Sequence, residues 1–254
     1  MEENKADSSV NKMTGRLVFV LGAFVVGVIA GFLLSGSTQN GVPEGVADRS
    51  TQEFEMVTHV QAELNEQDVY INRDGQAMRI TVGEAESEEI LDMPVYGSAE
   101  PVEPDPFGLT EAPLGPFPIG GELGFTMRDW LGATGTGTYT ISGARANLTL
   151  SMEGLVPNGV YTAWCARVKL PPQPVLFDLP CGATDGSENV FRAISDGSAS
   201  FEVEMAPLEE STESVQNVIA VVYHSDGQGH GPLPGAVGMN AHAQLLYLMP
   251  PGSN

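Results

Sequence analysis

Three of the four histidines in this chain fall within 19 residues: His224, His230 and His242, in the stretch YHSDGQGHGPLPGAVGMNAHAQ. Imidazole nitrogens suit zinc and copper, and three of them on one ion would leave a coordination position for water. Asp226 stands between the first two as an extra ligand or as a group that orients an imidazole. The competing reading is plain. His-x5-His followed by x11-His is not a spacing that local backbone geometry holds together, and His-Ser-Asp-Gly and Gly-His-Gly are ordinary loop compositions. On that reading the histidines serve as hydrogen-bonding loop residues.

Known metal-binding sandwiches set a stricter standard. Copper–zinc superoxide dismutases place His-x-His on one strand, and no such pair occurs here. Blue-copper proteins gather Cys, His and Met near the C-terminus, whereas Cys181 is followed by no His until His224. Other catalytic signatures are absent as well: there is no Gly-x-Ser-x-Gly elbow, no Gly-Lys-Ser/Thr phosphate loop and no His-Glu-x-x-His. The Asp-Gly steps at 74, 185, 196 and 226 read as turns rather than calcium loops. Trp130, Tyr161 and Trp164 read as core, with a ligand groove as the alternative. No catalytic residue is assigned. Asn147-Leu148-Thr149 fits a glycosylation acceptor, but it lies within an expected strand.

The elements that must position these residues are strands. Ala199–Met205 (ASFEVEM) alternates apolar and polar, the pattern of a strand with one wet face. Val160–Val168 and Val218–Tyr223 are apolar on both faces, like the central strands of a sandwich. Tyr139–Ile141 and Ala146–Met152 alternate in opposite registers, which requires a bulge or break near Gly143. Ala241–Leu248 supplies a last strand. Six or seven short strands separated by turns predict an all-β domain over 121–254, an antiparallel β-sandwich with Greek-key-like connections.

The N-terminal half reads differently. Leu17–Leu34 is a run of 18 apolar or Gly positions. As a helix it covers about 27 Å, close to the roughly 30 Å of bilayer hydrocarbon. Lys5, Lys12 and Arg16 precede it and no positive charge follows before Arg49, which predicts a cytoplasmic tail over 1–16, a transmembrane helix over 17–35 and export of the remainder. A cleaved secretory signal is the alternative, but its apolar region is shorter and needs a small-x-small cleavage site. Residues 36–50 read as a Gly/Ser tether within a small stalk region, 36–93. Inside it, 51–67 fits both a helix face (Met56, Val60, Leu64) and a strand alternation, and its composition favours the helix. Val69–Ile71 and Met78–Val82 flank an Asp74-Gly75 hairpin turn. Seven prolines between Pro94 and Pro118 predict an extended linker over 94–120.

Charge narrows the partners. The chain of 254 residues carries 11 Lys+Arg against 33 Asp+Glu, a formal −22. Residues 1–16 hold three of each sign, so the whole imbalance lies on the exported part, where Lys169 is the one lysine. Such a surface has no means of neutralising phosphates, which excludes a nucleic-acid binder. Cys165 and Cys181, both outside, read most simply as a disulfide in an oxidising compartment, with a thiolate metal pair as the alternative.

The pattern Gly154-Leu155-x-Pro157-Asn158-Gly159-x-Tyr161-Thr162-x-Trp164, then Cys181-Gly182, then Asp196-Gly197-x-Ala199-x-Phe201 resembles a group of uncharacterised secreted or membrane-anchored prokaryotic proteins over about residues 124–248. The resemblance implies an extracytoplasmic β-sandwich and a Cys165–Cys181 bridge, and carries no activity. These readings predict a single-pass cell-membrane protein whose module serves binding or envelope assembly. The alternatives are a Zn or Cu site at His224, His230 and His242, or an accessory subunit of a membrane complex. The expected partners are the lipid bilayer, through 17–35, and another protein.

Overall fold

The computed structural model describes residues 49–64, 67–102, 113–169 and 175–250. All belong to one compact unit, 45–254. The predicted transmembrane helix at 17–35 and its flanking tail lie outside the described residues. Among the described residues, no helix is long and apolar enough to cross a membrane.

The chain is all-β and antiparallel. In order it forms β1 (Arg49–Met56), β2 (Tyr70–Arg73), β3 (Gln76–Met78), a short 3-10 turn, α1 (Glu88–Leu91), β4 (Pro94–Ser98), β5 (Phe117–Thr126) and α2 (Met127–Leu131). There follow β6 (Thr134–Ser142), β7 (Arg145–Glu153), β8 (Val160–Lys169), β9 (Val175–Pro180), β10 (Val190–Arg192), β11 (Ala199–Met205), β12 (Val215–His224) and β13 (Ala241–Leu248). One sheet runs β1-β6-β7-β11 and a second runs β10-β8-β12-β13, with β9 also paired to β8; β2, β3, β5 and β4 close a small barrel.

Alternation builds the core. On β7, Ala146, Leu148, Leu150 and Met152 are buried while Asn147, Thr149 and Ser151 face solvent. They meet Tyr161, Ala163, Cys165, Ile219, Val221 and Leu245 from the second sheet in one apolar cluster, so the two sheets form a sandwich. The expected break near Gly143 is the β6–β7 hairpin turn, with Gly143 at φ +60°. The two runs apolar on both faces, β8 and β12, pair with each other at the centre of the second sheet. Asp196-Gly197 makes a turn, but the strands it joins diverge: β10 pairs with β8 and β11 with β7.

Two expectations are corrected. Residues 51–56, at the start of the segment expected to be helical, belong to strand β1, which pairs along β6. Phe54 packs over Gly137, where any Cβ would stand 2.3 Å from the ring. Burial of that alternating face outweighs the helix-forming composition. The Pro-rich stretch, expected to be an extended linker, contains strands at both ends. Pro94 opens β4, where a missing donor costs little, and Pro118 in β5 uses only its carbonyl, which accepts from the Ala99 N–H at 2.9 Å. The middle of that stretch, 103–112, lies outside the described residues.

The Cys165–Cys181 disulfide is present, with Cα atoms 5.2 Å apart, joining β8 to the loop after β9. A closed loop of this size stabilises by roughly 3 kcal/mol in the chain-entropy account.

Candidate metal centre

Strand β12 ends at His224, fully buried on the outer face of the second sheet. Its neighbours on that face come from β8. The pairing of Val222 with Thr162 sets Thr162 diagonal to His224, and His224 Nε2 lies 2.7 Å from Thr162 Oγ1. Trp164 Nε1 donates to the same oxygen at 2.7 Å. Thr162 can therefore accept from Trp164 and from an Nε2–H of His224 together, which leaves the lone pair on His224 Nδ1. That Nδ1 is buried and has no hydrogen-bond partner.

The chain then turns. Gly227 N–H donates to the His224 carbonyl at 3.0 Å, and Asp226 Oδ1 accepts from Gln228 N–H at 3.1 Å. Asn240, just before β13, donates from Nδ2 to Asp226 Oδ2 at 2.9 Å, while its own Oδ1 accepts from Ala236 N–H at 2.7 Å. Asp226 is thus aimed by a side chain that is itself fixed. His230 Nε2 stands 3.1 Å from Asp226 Oδ2, yet off the line of a hydrogen bond, so this buried nitrogen has no hydrogen-bond partner either. The His224 and His230 rings are 5.2 Å apart. One donor atom from each of His224, Asp226 and His230 lies within 4.8 Å of the others.

Two close backbone contacts clamp the loop that carries His230. Gly186, at φ +74°, lies so near Gly231 that a Cβ would stand 2.0 Å from its carbonyl oxygen. Gly229 packs on Val190, where a Cβ would stand 2.6 Å away. Gly186 follows the disulfide by five residues, so the crosslinked β9–β10 connection supports this loop from below. Electrostatics favour donors over cations here. Burial, then the adjacent His230, push His224 down to about 4, so it is neutral at physiological pH and free to ligate.

His242, expected as the third ligand, does not join this group. The β12–β13 register sets it opposite Tyr223, while His224 is opposite Ala241. Side chains alternate across a strand, so His242 faces the sandwich interior, its ring 6.0 Å from Tyr223, and His224 faces out. Both His242 nitrogens are used. Nδ1 lies 2.6 Å from the Asp68 carbonyl, an acceptor, so it must carry the proton; Nε2 then accepts from Ser225 Oγ at 3.0 Å. With both nitrogens spent, it has none to offer an ion.

The fourth histidine, His59, belongs to a buried polar joint between barrel and sandwich. Here Arg79 donates to the Gln67 and Pro113 carbonyls at 2.7 and 2.9 Å and lies over the Phe117 ring. Burial pushes the Asp68 carboxyl up to about 6 and His59 down to about 3.

Sequence reasoning reached His224, Asp226 and His230, read Trp164 as core or groove without tying it to them, and missed Thr162 and Asn240. Those are ordinary strand and loop residues, and only the sheet register brings them to the site. Trp130 and Tyr161 are buried in the core, as is the inward face of β8. No protein family, curated protein or solved structure matches this chain.

Proposed function

We propose that this protein is a membrane-anchored, extracytoplasmic β-sandwich module of Greek-key type that binds one divalent transition ion, Zn²⁺ or Cu²⁺, through His224, Asp226 and His230. One observation carries the reading: His224, an oriented Asp226 and His230 bring one donor atom each within 4.8 Å of the others, and the buried His224 Nδ1 and His230 Nε2 make no hydrogen bond. Leaving a buried polar atom unpaired costs about 1–3 kcal/mol, and a ligated ion would remove that cost at His224. Two imidazoles and a carboxylate suit zinc or copper over magnesium or calcium. Such a set leaves a coordination position for water or an external ligand.

The anchor is supported by the run Leu17–Leu34 and the basic residues before it. The formed disulfide fits an oxidising exterior. At the membrane surface the module would serve envelope structure or assembly, with its acidic surface keeping it soluble. Elemental analysis of tag-free full-length protein tests the metal. Stoichiometric Zn or Cu that disappears in the His224→Ala, His230→Ala double variant supports the reading. Wild-type protein that takes up neither ion when dialysed against each overturns it.

A further inference from the structure

A cleft of about 660 Å³ opens beside the metal ligands and shares His230 and Asn240 with them. That volume is in the range of small-molecule sites. Its walls are Val102, Leu233, Pro234 and Val237, tied together by the Val102 N–H donating to the Val237 carbonyl at 2.9 Å. Leu233 is 67% exposed, a large aliphatic side chain held at the rim. No charged side chain lines the cleft among the described residues. Asn240 spends one Nδ2 hydrogen on Asp226, while its Oδ1 accepts from the Ala236 N–H. A ligand entering the cleft therefore finds largely apolar side-chain walls and, for its polar end, His230 at the edge of the metal centre and Asn240.

We infer that the cleft binds a small monocarboxylate with an aliphatic or aromatic tail, the carboxylate taking the ion's open position and the tail lying on Leu233 and Val237. This rests on the metal reading above. The protein's −22 charge does not forbid an anion here: salt screens distant charges within about 8 Å, and a divalent ion with one carboxylate leaves the centre locally positive. Tail burial supplies the selectivity, since each buried methylene is worth about 0.8 kcal/mol, or roughly fourfold in affinity.

The test uses full-length protein in a mild non-ionic detergent, loaded with Co²⁺ as a visible reporter and titrated with acetate, then hexanoate. The expected result is a change in the Co²⁺ absorption bands with both, and at least tenfold tighter binding of hexanoate. Leu233→Ser, which adds no charge beside the ion, should reduce that difference severalfold, with a Co²⁺ spectrum of the same donor set. Equal affinities in the wild type, a Leu233→Ser variant that prefers hexanoate as strongly as the wild type does, or bands indifferent to both acids would overturn the inference and leave the metal reading standing. Failure of the wild type to bind Co²⁺ would instead bring down the metal reading, and this inference with it.

Discussion

The joint around His242 and the pocket around His224 are built from the same side chain on paired strands, and they resolve its chemistry in opposite ways. At the joint, one ring nitrogen is held by the Asp68 carbonyl and the other by Ser225, so the imidazole links the segment before β2 to β13. In the pocket, one nitrogen of His224 is held by Thr162 while its Nδ1 makes no hydrogen bond, and His230 Nε2 has only the Asp226 carboxylate, at 3.1 Å, beside it. Both His224 and His242 are buried and both are held neutral, pushed down to about 4 by burial first. Burial and protonation therefore do not separate a structural histidine from a ligand. The state of the second nitrogen does.

Crossed substitutions give the largest effects and the sharpest break. His242→Ala leaves the Asp68 carbonyl without its imidazole partner beside a cavity. It should lower unfolding stability by about 2–4 kcal/mol, with metal affinity of the folded protein changed less than about threefold. His230→Ala should do the reverse, weakening metal binding at least about 100-fold while costing under about 1 kcal/mol of stability. Denaturant titration and metal competition on both variants read the two axes. If His242→Ala loses the ion as completely as His230→Ala does, the distinction between the two regions is void.

How much of this was legible beforehand depends on how local the information is. The β7 alternation, the central placing of β8 and β12, the break at Gly143 and the disulfide are set by neighbouring residues or by two unique cysteines, and each was readable. Strand β1 was read only as the alternative, because its helix-forming residues are overruled by pairing with β6, 79 to 93 positions away. The face of His242 was not readable either. The pairing of β12 with β13 shifts register between Val221 and Val222, and such an irregularity reverses which residues point inward. No feature of the intervening loop signals it. The regular β8–β12 pairing sets His224 beside Thr162, and the shifted β12–β13 pairing turns His242 towards Asp68.

The joint has a second signature, in pH. The Asp68 carboxyl is raised from its ordinary 3.8 to about 6, chiefly by burial and against the opposing pull of Arg79. Folding thus favours its protonated form. Its contribution is fully present below about pH 4 and is lost as pH rises through 6, by up to about 3 kcal/mol. His59, lowered to about 3 by burial and by Arg79, works the other way, its contribution being lost as pH falls from 6.5 towards 3. Comparing Asp68→Asn with the wild type cancels His59. Relative to the wild type, the variant's Tm should rise between pH 4 and pH 7, because the asparagine can still accept from the Ala243 N–H that Asp68 now binds at 3.2 Å. A Tm difference that stays flat across this range would show that Asp68 is not desolvated in the joint.

On the pocket side, the next effect tests the clamp rather than a ligand. A methyl group at Gly186 would strike the Gly231 carbonyl, and φ +74° strains any non-glycine residue there. Gly186→Ala should push the His230 loop away and weaken metal binding between about 10- and 100-fold, short of the loss on removing His230 itself. Intact affinity in this variant would mean that the loop holds its place by other contacts.

The smallest effect is also the most selective. Asn240 touches no ion; it places Asp226 through one hydrogen bond and is placed by the Ala236 N–H through another. Asn240→Ala leaves the carboxylate held through Oδ1 by the Gln228 N–H but not through Oδ2, so the ion keeps all three donors but each binding event must first order one of them. Losing such an orienting partner costs around tenfold in affinity, with the same stoichiometry and a Co²⁺ spectrum of the same donor set. The joint offers a matched control. Ser225→Ala removes the partner of His242 Nε2 but not the Asp68 contact, so it should cost about 1 kcal/mol of stability. Because Ser225 lies between His224 and Asp226 in the chain, it also asks whether proximity to the ligands matters without a bond to them. If Ser225→Ala weakens metal binding as much as Asn240→Ala does, position near the site, rather than orientation of Asp226, sets the affinity.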